Sequence, residues 1–215
     1  MKQRFFYIPG LGADSRLFYK LIPLLGGACI CWPSELGHNM NQLAKNIVSV
    51  SDIKPGDVII GFSFGGQLAL EIKSILPDVK VVQISSIKES TELTWSFKLL
   101  ALIVQILPKF MIRPILEHFG PHHAAGENPI DDSDFSELKE MARSCDIDFF
   151  KKTALLCSRW QNTSALESLQ INGSKDMIIP FKRRSSQIIL EDAGHLLTFT
   201  HPNQIANEVK KYVGQ

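Results

Sequence analysis

The sequence predicts an α/β fold: a mostly parallel central sheet with helices on both faces and an inserted helical cap. Three observations carry this. Apolar runs of strand length alternate with amphipathic stretches up to residue 84, the rhythm of a parallel sheet covered on both sides. One run passes into a helix-forming stretch through Gly61-Phe62-Ser63-Phe64-Gly65. After Ser85-Ser86 the rhythm gives way to helical text, and strands resume only near residue 168.

Taken in order, apolar runs predict strands over 5–8, 28–32, 58–60, 79–84, 168–171 and 187–190. The 3.6-residue period predicts helices over 15–25, 40–50 and 66–76, and a last one over 203–212 opened by Pro202. Between them the pattern predicts helices over 95–107, 112–119, 136–144 and 147–160. Pro108, Pro114, Pro121 and Pro129 punctuate this region, as does the polar stretch 126–133. Residues 1–87 and 162–215 therefore read as the core, and 88–161 as a cap inserted between two strands. The cap is rich in apolar residues from Trp95 to Ile112. Most of that surface is expected to pack on the sheet or on itself, and part of it to roof a site.

A chain of 215 residues suits one domain with an insertion. Hydrophobic residues make up 45% and charged residues 21%, an ordinary globular balance. The formal net charge is +1 with both signs interspersed, which argues against a nucleic-acid partner. Cys29, Cys31, Cys145 and Cys157 form no Cys-x-x-Cys pair. Cys29 and Cys31 share one face of a strand and are expected as buried thiols, and a reducing cytoplasm is the expected compartment. The N-terminal apolar run stops at Pro9-Gly10, too short for a signal-peptide core. The longest apolar stretch, 99–107, is interrupted by Gln105 and closed by Pro108, so no membrane span is expected. No histidine cluster has metal-ligand spacing, and neither metal nor cofactor is expected.

Chemistry concentrates at Ser63. A strand, Gly-x-Ser-x-Gly and a helix form a nucleophile elbow. The turn is tight enough that side chains at positions 61 and 65 would meet backbone, and the serine takes a strained conformation. A serine hydroxyl needs a base to take its proton and a third group to orient that base. His195 follows the strand 187–190 and a short acidic turn, which sets it on a loop at a strand end. Asp176 follows the strand before it, in Gly173-Ser174-Lys175-Asp176. Asp192 is the rival acid, three residues before His195; Asp176 could instead cap the turn before Pro180. Backbone donors for an oxyanion are expected from the amides of Phe64 and Leu11, the latter in the loop Pro9-Gly10-Leu11-Gly12. That loop lacks the third glycine of a dinucleotide fingerprint, and no Walker lysine is present.

Residues 4–14, 57–70, 168–180 and 187–196 together resemble the α/β-hydrolase superfamily. The resemblance rests on Gly61-x-Ser63-x-Gly65, Gly173-x-x-Asp176 and Gly194-His195 in that order. It implies a serine hydrolase with Ser63 as nucleophile, His195 as base, Asp176 as its orienting acid, and Leu11 and Phe64 at the oxyanion. The implied substrate is a small or medium carboxylic ester or related acyl compound, its acyl group apolar. Carbon–carbon bond hydrolysis or a lyase reaction on the same triad, and a non-catalytic small-molecule-binding scaffold, stay open as alternatives. The sequence departs from the family in carrying Pro9-Gly10 where His-Gly is common. It has no room before Arg4 for the two leading antiparallel strands, an expected trimmed N-terminus. The short span from Asp176 to His195 implies a reduced or missing helix there.

Overall fold

The computed structural model describes residues 3–126, 130–162, 166–179 and 187–214. Six parallel strands form its sheet. In chain order the elements are β1 (Phe5–Ile8), α1 (Ile22–Leu25), β2 (Ala28–Cys29), α2 (Met40–Val50), β3 (Val58–Phe62), α3 (Phe64–Ile75) and β4 (Lys80–Ile84). Then come α4 (Trp95–Ile106), α5 (Lys109–Pro114), a π-helical turn (Ile115–Phe119), α6 (Gly120–Ala125), α7 (Asp132–Ser144) and α8 (Ile147–Ser158). The chain closes with β5 (Leu169–Gly173), β6 (Gln187–Leu190), α9 (Leu197–Thr200) and α10 (Pro202–Val213). The strand order is β2-β1-β3-β4-β5-β6. It reverses direction of growth between β1 and β3, so the crevice at the carboxyl ends of those strands is where such sheets place ligands.

β3 lies inside the sheet and is buried along its whole length. Its alternate side chains feed two cores: Val58, Ile60 and Phe62 pack with Tyr7, Val82 and Ile171 on one face, and Ile59 packs with Ile8, Leu68 and Val81 on the other. This two-sided burial is why the strand reads as an unbroken apolar run, and each such side chain contributes roughly 1.5–3 kcal/mol. α2 and α3 cover the second face; α10 covers the first through Ile205, Val209 and Val213. α2 begins at Met40 because Asn39 accepts the amide of Gln42, and its apolar stripe Met40, Leu43, Ala44 and Ile47 is buried.

Three expectations fail. The predicted helix 15–25 is a 3-10 turn over Ser15–Phe18 and the single turn α1. Asp14 caps the first piece, Pro23 at the start of the second has no N–H to donate back to Tyr19, and a 3-10-type bond from Leu21 N to Phe18 O at 2.9 Å spans the break. The predicted strand 28–32 shortens to Ala28–Cys29 at the sheet edge, with Ile30 N still donating to the Tyr7 carbonyl at 3.0 Å, and Cys31 is exposed rather than a buried thiol. The apolar run from Trp95 is largely on the surface: Trp95 and Phe110 are 76% exposed and Ile106 81%. α4 lies against α8 with Ala101 buried at the contact, and its outer side chains have no layer above them. No helix among the described residues is long and apolar enough to cross a membrane. The expected loss of a helix between Asp176 and His195 concerns residues 180–186, and the polar stretch around Pro129 concerns residues 127–129; both lie outside the described residues.

Candidate active site

Ser63 joins β3 to α3 with φ 52° and ψ −118°. A serine in this region costs about 1–3 kcal/mol, and surrounding contacts must hold it there. Its N–H donates to the carbonyl of Ile84 at 2.9 Å, and its carbonyl accepts from Gly66 N at 2.9 Å. The flanking glycines are required by close approach. A Cβ on Gly61 would collide with the backbone of Gly65, and one on Gly65 with the carbonyl of Ile8. The strain therefore has a geometric product: the helix starts at the next residue, and the serine side chain faces a cavity.

Asp176 and His195 meet beyond the ends of β5 and β6. His195 Nδ1 lies 2.8 Å from Asp176 Oδ2, and both side chains are buried. Asp176 Oδ1 accepts from the amides of Ile178 at 2.9 Å and Ile179 at 2.8 Å. The aspartate thus caps its turn with one oxygen and holds the imidazole with the other. Gly173 lets the strand end press against the histidine loop, since a Cβ there would collide with the Ala193 carbonyl. Lys175 N also donates to the carbonyl of Ala193 at 2.9 Å. The rival Asp192 points away and pairs with Lys175 at 2.8 Å on the surface. The Phe62 ring meets the His195 ring edge-on at 4.9 Å between centroids. A carboxylate on Nδ1 favours the tautomer with its proton there, which leaves Nε2 as the acceptor.

Ser63 and His195 line one cavity of about 230 Å³. No hydrogen bond joins the two side chains among the described residues; in unliganded sites such bonds are often long and tighten with substrate. Leu11 and Phe64 line the same cavity. Phe64 is the first residue of α3, where an amide has no acceptor within the helix. Neither its amide nor that of Leu11 donates to a protein acceptor among the described residues. The helical segment between β4 and β5 supplies an apolar side to the cavity with Phe97, Leu116, Pro121, Leu138 and Met141.

Two thiols, Cys145 and Cys157, also line the cavity. Burial pushes the Cys157 thiol up to about 12, and burial raises Cys145 too. Both are protonated at neutral pH and are poor nucleophiles there. Cys157 instead donates to Gln67 Oε1 at 3.0 Å. His122, one of the helical-segment histidines, packs on the Phe135 ring.

Sequence reasoning missed Gln67, Glu92, Ser85 and Ser86. Gln67 and Glu92 line the cavity, and the two serines are buried behind it. Gln67 sits one turn into α3 after Ser63, a spacing that could have revealed it. The serines follow β4 directly, and a polar pair at the carboxyl end of an inner parallel strand was the available signal.

Residues 5–208 match the model of the alpha/beta hydrolase family. The chain belongs to that family. Among curated proteins, none matches this alpha/beta hydrolase. Solved structures share its fold at low identity. A thermophilic esterase from Thermogutta terrifontis superposes with a TM-score of 0.76 at 14% identity, covering 100% of this chain and 90% of its own. An esterase from Rhodococcus sp. ECU1013 gives 0.72 at 12% identity, covering 99% and 90%. A hydrolase from Oleispira antarctica gives 0.74 at 13% identity, covering 100% and 92%.

Proposed function

We propose that this alpha/beta hydrolase cleaves small or medium carboxylic esters with an apolar acyl group, through an acyl-enzyme on Ser63. The observation that carries the reading is the buried His195–Asp176 pair at 2.8 Å opening onto the same cavity as the strained Ser63. Ser63 Oγ attacks the ester carbonyl carbon while His195 Nε2 takes the hydroxyl proton. Asp176 orients the imidazole and stabilises its charged form. The amides of Leu11 and Phe64 hold the negative oxygen of the tetrahedral intermediate. The carbon–oxygen bond to the alcohol breaks, and His195 returns its proton to the leaving alkoxide. Water, deprotonated by His195, then attacks the acyl carbon and releases the acid. The helical segment 88–161 acts as a cap whose apolar side receives the acyl chain. The esterases among the structural neighbours support the choice of substrate class.

Turnover of p-nitrophenyl esters from acetate to octanoate tests the reading. The wild type hydrolyses the shorter members best, since a cavity of about 230 Å³ is small for a ligand site. Ser63→Ala loses at least about 10⁴-fold in kcat. Undiminished turnover in that variant overturns the mechanism. Incorporation of one labelled oxygen from water into the acid separates hydrolysis from a lyase reaction, which consumes no water.

A further inference from the structure

The loop after β4 contributes no member of the proposed triad, yet it lies between the two halves of it. β4 sits between β3, which carries Ser63, and β5, which leads to Asp176. Two successive serines follow this strand, and their hydroxyls reach different partners. Ser86 Oγ donates to the carbonyl of Ser63 at 2.7 Å. Ser85 Oγ donates to the carbonyl of His195 at 2.6 Å. The backbone joins the same parts: Ser63 N donates to Ile84 O, and Ser85 N to Ile171 O, each at 2.9 Å.

Ser85 adopts φ 48°, a left-handed conformation that a serine does not take without support. The supporting groups are themselves buried and polar. The Ser86 carbonyl accepts from Gln170 Nε2 at 2.7 Å and Asn172 Nδ2 at 3.1 Å, and Ser86 N donates to Asn172 Oδ1 at 3.3 Å. Gln83 Nε2 donates to the carbonyls of Gly66 at 3.2 Å and Ile87 at 2.8 Å. Ser85 and Ser86 are 0% and 1% exposed. A fully satisfied network of this kind holds its members to one geometry. A strained residue inside it invites a functional explanation.

We propose that Ser85 is a positioning residue for His195, fastened through Ser86 to the Ser63 elbow, so that this strut sets the distance between nucleophile and base. It rests on the proposed roles of Ser63 and His195. Neither hydroxyl touches substrate; each acts on a backbone carbonyl. Loss of the Ser85 hydroxyl frees the His195 loop from the elbow while leaving the cavity lining intact.

The test is the rate of covalent labelling by a fluorophosphonate of short alkyl chain, measured over a range of probe concentration. Wild type is compared with Ser85→Ala, Ser85→Gly, Ser86→Ala and His195→Ala. The glycine variant lacks the hydroxyl but removes the left-handed penalty, so it folds without the strain that alanine carries there. In both Ser85 variants the maximal rate constant falls about 100-fold, the scale of a misplacement near 1 Å, with the half-saturating concentration unchanged. Ser86→Ala also lowers the maximal rate constant. A purely structural role would reduce the labelled fraction and leave the rate constant of the folded molecules untouched. A wild-type rate constant in either Ser85 variant, with wild-type labelling still dependent on His195, overturns the inference alone. A wild type that takes up no probe overturns the inference together with the triad on which it rests.

Discussion

Ile59 and Ile106 are the same residue in two different halves of the molecule. Ile59, in β3, is fully buried; Ile106, at the end of α4, is 81% exposed. The contrast is general. Ten of the thirteen large apolar side chains that are exposed among the described residues lie between positions 95 and 119, while the inner strands β3 and β4 have no exposed residue at all. An inner strand of a parallel sheet is covered on both faces by construction, so its apolar content and its burial agree. A helix laid over a cavity has one inner face, and apolar residues beyond that face stay in contact with solvent. Apolar content alone therefore reports burial in the sheet half and does not in the helical half.

The largest expected effect that sharpens this contrast is catalytic. Asp176→Asn keeps the shape of the buried pair but disturbs the His195 tautomer, and kcat for ester hydrolysis falls about 10⁴-fold while the urea midpoint changes little. An equivalent carboxylate-to-amide change at Asp192, which pairs with Lys175 on the surface, leaves kcat within about twofold. Next in size is the core of the sheet. Ile60→Ala in β3 lowers stability by about 2–5 kcal/mol in urea unfolding, since Ile60 is fully buried. By comparison, Ile106→Ser and Phe110→Ser in the helical half change stability by no more than about 0.5 kcal/mol. A loss of 2 kcal/mol at either would show that the helical face is covered in solution. The smallest effect is chemical. In native protein at neutral pH, iodoacetamide alkylates the exposed Cys31 first, and Cys157, whose thiol burial pushes up to about 12, reacts only on unfolding. Peptide mapping after graded exposure gives the order.

Much of this was legible in the chain. α2 needs only its apolar stripe and the Asn39 cap, and both are local. The Ser63 elbow is also local, because glycine at positions 61 and 65 is what the turn demands. Asp176 could be chosen over Asp192 because Asp192 is only three residues before His195, and a 2.8 Å bond joins Asp176 to His195. What escaped was set by contacts distant in sequence. Ser85 and Ser86 act on residues 110 and 23 positions away; their place after an inner strand marks the pair but not the carbonyls they bond. Gln83, Gln170 and Asn172 lie inside strands that read as apolar, and they form the network under the site only once β4 and β5 pair. The helix expected over 15–25 failed because Pro23 outweighed the periodicity.

In the proposed mechanism Ser63 is a nucleophile activated by His195. Incubating the folded protein with a fluorophosphonate and locating the adduct by mass spectrometry tests it most directly. One adduct is expected, on the peptide bearing Ser63, absent in Ser63→Ala and strongly slowed in His195→Ala. An adduct on another residue, or labelling of Ser63 that proceeds equally fast without His195, would contradict it.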